Sequence, residues 1–444
     1  MSTDRQFNFH FVPVKGWMND PNGLIYADGK YHIFFQYNPE STVWGPMNWG
    51  HAVSQDLQHW NQLENAIEVD ENGYAFSGSA VTLKEQGPYY LLYTSHNPQS
   101  GEQQQCLVES ENLETFKKYE KNPVIKNQKN EKGYKKDFRD PKVFSSPDKN
   151  SFGAVIAAGK IIEFYSTDDF KNWSFAGSFN PQEYGLEGIC ECPDLLFFPS
   201  QNQNDKKNGK WILLFSMILT EDCMKAHNYS REKLVFYFTG DFDGKTFTVN
   251  PDKKEALLLD YGPDAYAYTS FAGVKEPVLM AWGENWDYAA RTPAENYRGK
   301  MTAPRICILQ SNEDEEYLCQ IPYLPEEVLD NNSNLYNCAV GESIVYENDL
   351  GQSLSITVEE KEIVVERKGC GTEKFAPELS VQKYNRFTAP RKWADGGTGV
   401  MVLEDKGYFE IFCEGGLTVF SVDTWADAPL VCKKNLSLDE QLEW

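Results

Sequence analysis

Three acidic residues in this chain sit in stiff or sharply turning company. Asp20 lies in Trp17-Met18-Asn19-Asp20-Pro21-Asn22-Gly23, between an amide and a proline. Asp140 lies in Phe138-Arg139-Asp140-Pro141-Lys142, and Glu191 in Cys190-Glu191-Cys192-Pro193-Asp194. Proline fixes one backbone angle, and glycine and asparagine admit tight turns. Acids that serve only solubility have no need of such neighbours. Taken singly, Asp20 reads as a turn residue, Arg139-Asp140 as a surface ion pair and Glu191 as a buried structural acid. Taken together, the three cassettes point to a site. Carboxylates gathered without a Lys or His base point to glycoside hydrolysis, where one acid attacks or activates water and another protonates the leaving oxygen. Asn19 is placed to orient Asp20 or a sugar hydroxyl. Arg139 would keep a paired carboxylate ionised. Glu191, between two cysteines and before a proline, has a less polar setting that suits a general acid.

The remaining composition narrows the chemistry. The 10 cysteines form no CxxC pair and the 6 histidines form no HExxH, so neither a metal nor a cofactor is expected. A formal charge of -24 repels phosphate backbones and anionic membranes, which leaves a neutral small-molecule substrate and no nucleic-acid partner. The start, Met1-Ser2-Thr3-Asp4-Arg5, has no apolar stretch, and no run approaches the ~18 apolar residues of a membrane span. The expectation is a cytoplasmic protein with reduced thiols.

The elements that must position these acids read as strands. Tyr31–Tyr37, Tyr89–Tyr93, Lys210–Ser216 and Leu234–Phe238 are short apolar or aromatic runs bounded by turn formers. A turn signature recurs at Ser54-Gln55-Asp56-Leu57, Ser110-Glu111-Asn112-Leu113 and Thr167-Asp168-Asp169-Phe170, with a looser copy from Thr239 to Phe247. Its polar start makes a turn, and its apolar residues anchor it on a sheet. Longer units of turn and strand begin near Asp20, Ser77, Asp140, Cys192 and Tyr268. Five such units imply radial repetition, an all-β chain built on a five-bladed β-propeller. Innermost strands would then bring Asp20, Asp140 and Glu191 to one end of a central channel. The pattern changes near Pro304-Arg305. Residues 1–310 are assigned to the propeller, 311–334 to an acidic, irregular linker, and 335–444 to a β-sandwich with strands at Ser353–Thr357, Glu362–Glu366, Val400–Leu403 and Tyr408–Phe412. That sandwich could form a homodimer face or only buttress the propeller.

These cassettes carry a resemblance. With Trp44-Gly45-Pro46-Met47, Trp49-Gly50-His51, Phe76-Ser77-Gly78-Ser79, Asp260-Tyr261-Gly262-Pro263-Asp264, Tyr266-Ala267 and Arg298-Gly299-Lys300-Met301-Thr302, the chain resembles the β-fructofuranosidases of glycoside hydrolase family 32. The tail piece Glu410-Ile411-Phe412 is similar to that family's sandwich domain. The resemblance implies the same propeller and sandwich and a retaining double displacement on a fructofuranoside. It implies Asp20 as nucleophile, Glu191 as acid/base and Asp140 as transition-state stabiliser. Asn19, Gln36, Trp44, Phe76, Ser77 and Arg139 match positions that hold the fructosyl unit. Sucrose and short fructooligosaccharides are the expected substrates. Sucrose 6-phosphate hydrolysis, fructosyl transfer and a non-catalytic sugar-binding propeller are the alternatives. The chain departs from the common pattern at Asn48, Cys190, Ala265 and Tyr297, which bears on substrate preference and removes no carboxylate.

Overall fold

The structure, a computed structural model, describes residues 4–82, 87–127, 135–145, 151–200, 209–250, 255–311, 316–379, 381–393 and 396–433. Among these residues the α-helices are two seven-residue pieces, Glu221–His227 and Glu326–Asn332. No helix among the described residues is long and apolar enough to cross a membrane. Apart from short 3-10 turns, the rest of the regular structure is strand, antiparallel except for one short parallel pairing noted below and an isolated parallel bridge between Ile25 and Ala272.

The first 322 residues build five sheets in chain order, each opened by a lead strand. The lead strands are Gly16–Ala27, Tyr74–Thr82, Phe138–Ser145, Gly188–Pro199 and Tyr266–Ser270. Each lies beside the next, and the fifth lies beside the first, so the lead strands close a ring. The closure is fastened by a late segment, Tyr297–Arg298, which pairs in parallel with Gly16–Trp17.

Strand periodicity explains why the middle strands are apolar on both faces. Successive side chains leave a strand on opposite sides. In the second sheet, Leu91 joins a core shared with Ile25, Phe34 and Trp49 of the first sheet. Its neighbour Leu92 joins one shared with Phe138, Val143 and Ile156 of the third. In the fourth sheet, Leu213 packs with Val155 and Phe164 of the third, while Leu214 packs with Leu279 and Ala281 of the fifth. Met18, Ile33 and Phe35 of the first sheet meet Phe271 and Met280 of the fifth. Every sheet is therefore buried on two sides by its two neighbours, which is what unbroken apolar runs require.

The repeated turn signature is one structure built three times. The hydroxyls of Ser54, Ser110 and Thr167 accept from the backbone N of Leu57, Leu113 and Phe170. The side-chain oxygens of Asp56, Asn112 and Asp169 cap the next two amides. Each apolar anchor is buried at positive φ, 64°, 54° and 58°. The looser copy from Thr239 differs. Strand Lys233–Phe242 runs through it, and Asp243 caps a hairpin to Phe247–Val249 instead. The expected hydroxyl turn is lost because Thr239 is paired inside the ladder.

The final two sheets face each other over a shared core. One contains Ser333–Cys338, Thr398–Asp405, Tyr408–Cys413 and Thr418–Asp423; the other contains Ser343–Glu347, Ser353–Val358, Glu362–Lys368, Arg386–Pro390 and Val431–Cys432. Tyr336, Val400, Ile411 and Phe420 of the first meet Ile356, Ile363, Val365 and Phe387 of the second. The segment 311–334 is not an irregular linker. It holds strand Glu316–Pro322, which completes the fifth sheet against Arg305–Ser311, and helix Glu326–Asn332, whose Val328 packs on the sixth sheet. Its acidity masked the pattern Tyr317, Leu318, Cys319, whose side chains are buried. Residues 312–315 and 434–444 lie outside the described residues.

Candidate active site

All five lead strands carry a break in register, and the breaks fall at the residues of interest. In the first, Asn19 and Asp20 lie between the pairs Met18–Tyr37 and Pro21–Phe35. In the second, Ser77 is the extra residue between Phe76–Thr94 and Gly78–Tyr93. In the third, Asp140 and Pro141 lie between Arg139–Ala157 and Lys142–Val155. In the fourth, Cys192 and Pro193 follow the pair Glu191–Ser216. In the fifth, Ala267 and Tyr268 follow Tyr266–Trp282. A bulge bends its strand and re-aims side chains that alternation would send elsewhere. Asp140, Cys192 and Ala267 reach positive φ, at 62°, 44° and 57°. The prolines in the third and fourth cassettes lack the amide that a regular ladder would demand.

The three acids meet around Cys192. Its thiol lies 3.5 Å from Asp20 Oδ2 and 3.7 Å from Asp140 Oδ2. Its backbone N donates to Asp140 Oδ2 at 2.9 Å. Asp20 is held on both oxygens: Asn19 Nδ2 donates to Oδ1 at 3.1 Å, and Ser77 Oγ donates to Oδ2 at 2.8 Å. Asn19 is itself fixed by Trp17 Nε1, at 2.8 Å. Arg139 Nη2 donates to Glu191 Oε1 at 2.8 Å, and Tyr266 OH donates to Glu191 Oε2 at 2.7 Å.

Two expectations change here. Arg139 does form an ion pair with its chain neighbour Asp140, at 3.8 Å, but Asp140 is buried and Arg139 largely so, and the pair is not a surface one. Its hydrogen bonds go to Asp137, at 2.5 Å, and to Glu191. The bulge turns Asp140 toward the Cys192 amide and leaves Arg139 facing the fourth lead strand. Glu191 was expected in a less polar setting, yet both of its oxygens have donors. The buried cysteine Cys190 points the other way, into the core between the third and fourth sheets.

Electrostatics follow from the crowding. Burial pushes the Asp140 carboxyl up to about 7; Arg139 opposes this, and the charge of Asp20 adds to it. Burial also raises Asp20, against the hydrogen bonds of Asn19 and Ser77 and with the added repulsion of Glu191. Burial and the three surrounding carboxylates push the Cys192 thiol well above its usual range, so it stays a donor. Burial works against the Arg139 charge, but Glu191 and Asp140 hold its pKa above the ordinary value.

The other expected residues surround this centre. Gln36 is buried and spends its amide nitrogen on Ala75 O, at 2.8 Å. Phe76 and Trp44 form a rim with Tyr74, with ring centroids 6.3–6.4 Å apart. Trp44 is 45% exposed and so has a face available to a ligand. Sequence reasoning missed Tyr266 as a partner of Glu191, although the Tyr266-Ala267 match was a signal. It also missed Trp282 and Trp286, which pack on Trp17 behind Asn19 at 5.9 Å each. His96, stacked on Phe76 at 4.4 Å, had no signal in the sequence. The Asp260–Asp264 match proves to serve the junction between the two parts of the molecule: Tyr261 N and Asp264 N donate to Val419 O and Ser421 O. A Cβ on Gly262 would lie 2.2 Å from the Ser421 backbone, so only glycine fits there.

Comparison with known proteins shows the family. Residues 10–322 match the N-terminal domain of the glycosyl hydrolases family 32. The levanase of Bacillus subtilis is 31% identical over 94% of this chain and 66% of its own length. The extracellular exo-inulinase of Aspergillus awamori is 32% identical over 74% of this chain and 66% of its own. The chain thus spans just under two thirds of these relatives. The structure of the fructofuranosidase from Schwanniomyces occidentalis complexed with fructose superposes with a TM-score of 0.81 at 25% identity, covering 99% of this chain and 97% of that one. With its three acidic cassettes in one bulged cluster and a match over most of its length, the chain belongs to glycoside hydrolase family 32.

Proposed function

We propose that the protein is a retaining β-fructofuranosidase that removes terminal β-D-fructofuranosyl units, with sucrose and short fructooligosaccharides as its substrates. The observation that carries this reading is the meeting of Asp20, Asp140 and Glu191 around Cys192, three carboxylates from the first, third and fourth lead strands. Asp20 is the nucleophile. Asn19 and Ser77 hold its two oxygens, which fixes the angle of attack on the fructosyl anomeric carbon. Glu191 gives its proton to the glycosidic oxygen as that bond breaks and Asp20 forms an ester to the sugar. Glu191 then takes a proton from water, which attacks the same carbon and releases Asp20. Asp140, when ionised, lies beside the positive charge that develops on the ring. Asn19, Gln36, Trp44, Phe76, Ser77 and Arg139 line or brace the fructosyl pocket.

The ring of five sheets supports a five-bladed β-propeller, and the two facing sheets support a β-sandwich, with the division near 323. None of the ten cysteines is in a disulfide and eight are buried, which supports a reducing compartment such as the cytoplasm, although the A. awamori relative is named extracellular. The test is a panel of sucrose, sucrose 6-phosphate, inulin and levan with the wild type and Asp20→Asn. The wild type releases fructose from sucrose, and the variant loses at least about a thousandfold in kcat with its unfolding midpoint intact. A variant as active as the wild type removes Asp20 from this role.

A further inference from the structure

His96 closes the second strand of the second sheet, Tyr89–His96, at the rim of the acidic centre. Its ring stacks on Phe76 with centroids 4.4 Å apart and planes 13° apart, and lies 6.0 Å from Tyr74. Phe76 directly precedes Ser77, which holds Asp20. The charge of Arg139, the residue that holds Glu191, also acts on His96. The imidazole is thus part of the aromatic wall of the sugar pocket, stacked on the residue that precedes Ser77.

The ring is half-buried, and its two nitrogens are not equivalent. Nδ1 is sealed and has no hydrogen-bond partner among the described residues. Gln103, opposite His96 across the ladder, is also buried and keeps its own Oε1 unpartnered, so neither side chain satisfies the other. A proton on Nδ1 would be a buried donor with nothing in reach to accept it, whereas Nε2 is not among the sealed, unpartnered atoms. The neutral ring accordingly carries its proton on Nε2, the nitrogen left to meet a ligand. Burial, helped by the Arg139 charge, lowers the pKa and favours that neutral form.

We propose that His96 is a specificity-determining residue that donates from Nε2 to a hydroxyl of the leaving-group sugar. The proposal rests on the fructofuranosidase reading above, because Arg139 and Glu191 mark the leaving-group side only if Glu191 protonates the glycosidic oxygen. Stacking on Phe76 fixes the plane of the ring, so the donor direction is preset and little side-chain freedom remains to be lost on binding. Nothing in the family resemblance marked this position. It belongs to the rim formed by Tyr74, Phe76, His96 and Trp44.

The test compares the wild type with His96→Phe, which keeps an aromatic ring on Phe76 and removes both nitrogens. Two fructosides serve as probes: sucrose, whose leaving group is a hydroxyl-rich sugar, and an aryl fructoside whose leaving group has no hydroxyl. The expected result is a fall of about tenfold in kcat/KM for sucrose, the worth of one hydrogen bond to substrate. For the aryl fructoside the change stays within about twofold, and the unfolding midpoint does not move. Equal losses on both probes, or no loss on either, overturn the proposal. A wild type inert on both probes overturns the fructofuranosidase reading, and the proposal with it.

Discussion

At the scale of single residues, the centre is governed by how three negative charges share one buried space. Asp140 is the most telling of them. Its folded pKa of about 7 lies above the ordinary 3.8, with burial as the main cause. Between those two values the folded protein holds a proton that the unfolded chain has released. The stabilisation associated with this group is therefore complete below about pH 4 and is lost as pH rises toward 7. The side chain of Asp140→Asn cannot ionise and lacks this dependence. The stability of the wild type relative to that variant should decline by a few kcal/mol from pH 4 to pH 7, read from urea unfolding at each pH. A flat or rising difference would show that Arg139 outweighs burial. Arg139 itself illustrates a limit of sequence reading. It was legible as the cation of the site, but its hydrogen bond to Glu191 was not, because that partner comes from another strand far along the chain.

At the scale of elements, the bulge is the device that builds the site. Each lead strand would otherwise bury or expose its residues in strict alternation. Gly78 shows how tightly the second bulge is packed: a Cβ there would lie 2.0 Å from Leu92 O. Gly78→Ala must push the strands Tyr74–Thr82 and Tyr89–His96 apart, and Ser77 moves with them away from Asp20. Activity on sucrose should fall by at least about a hundredfold, since small misplacements of a positioned group are this costly. Retention of the wild-type kcat would mean that Ser77 does not position the nucleophile. The anchors of the repeated turns are a contrasting case. Leu113 is fully buried in the core shared by the first two sheets and lies on the outer side of its sheet, next to the last strand. Leu113→Ala should cost about 2–5 kcal/mol of stability, as cavity-forming truncations do, with kcat unchanged. Unfolding by denaturant and steady-state assays separate the two effects.

At the scale of the whole molecule, a buried ionic junction joins the two parts. Arg305 is fully buried. It donates to Asp260, Tyr268 and Gln320 on one side, at 3.1, 2.6 and 3.1 Å, and to Glu410 and Ser421 on the other, at 2.6 and 2.7 Å. Lys300 bridges Glu284 and Asp423 nearby, each at 2.7 Å. Removing one member of such a cluster strands charges that cannot reach water. Arg305→Met should lower stability by about 3–5 kcal/mol, and calorimetry should show the single transition moving down or splitting in two. An unchanged midpoint would show that the junction is not where the two parts are coupled. His10 adds to the same junction, clasped between Asp405 and Glu410 at 3.0 and 3.1 Å.

The sequence alone determined what is local. The stiff cassettes around Asp20, Asp140 and Glu191 and the turns at Ser54, Ser110 and Thr167 were readable from residue types a few positions apart. So was the strand character of the apolar runs, because backbone preference and side-chain alternation act over the same short range. The tertiary structure decided what depends on register and closure. It set the bulges that aim the acids at Cys192, gave Arg139 to Glu191, and placed His96 against Phe76. It also made strand Glu316–Pro322 of a segment that looked like a linker, and made a joint between two parts of the molecule from the Asp260–Asp264 cassette. These outcomes turn on contacts between residues tens to hundreds of positions apart, where packing and the burial of charge outweigh any local preference. The opening cassette supplied Asp20 as an acid in a turn; four other strands, closed into a ring, gave it neighbours.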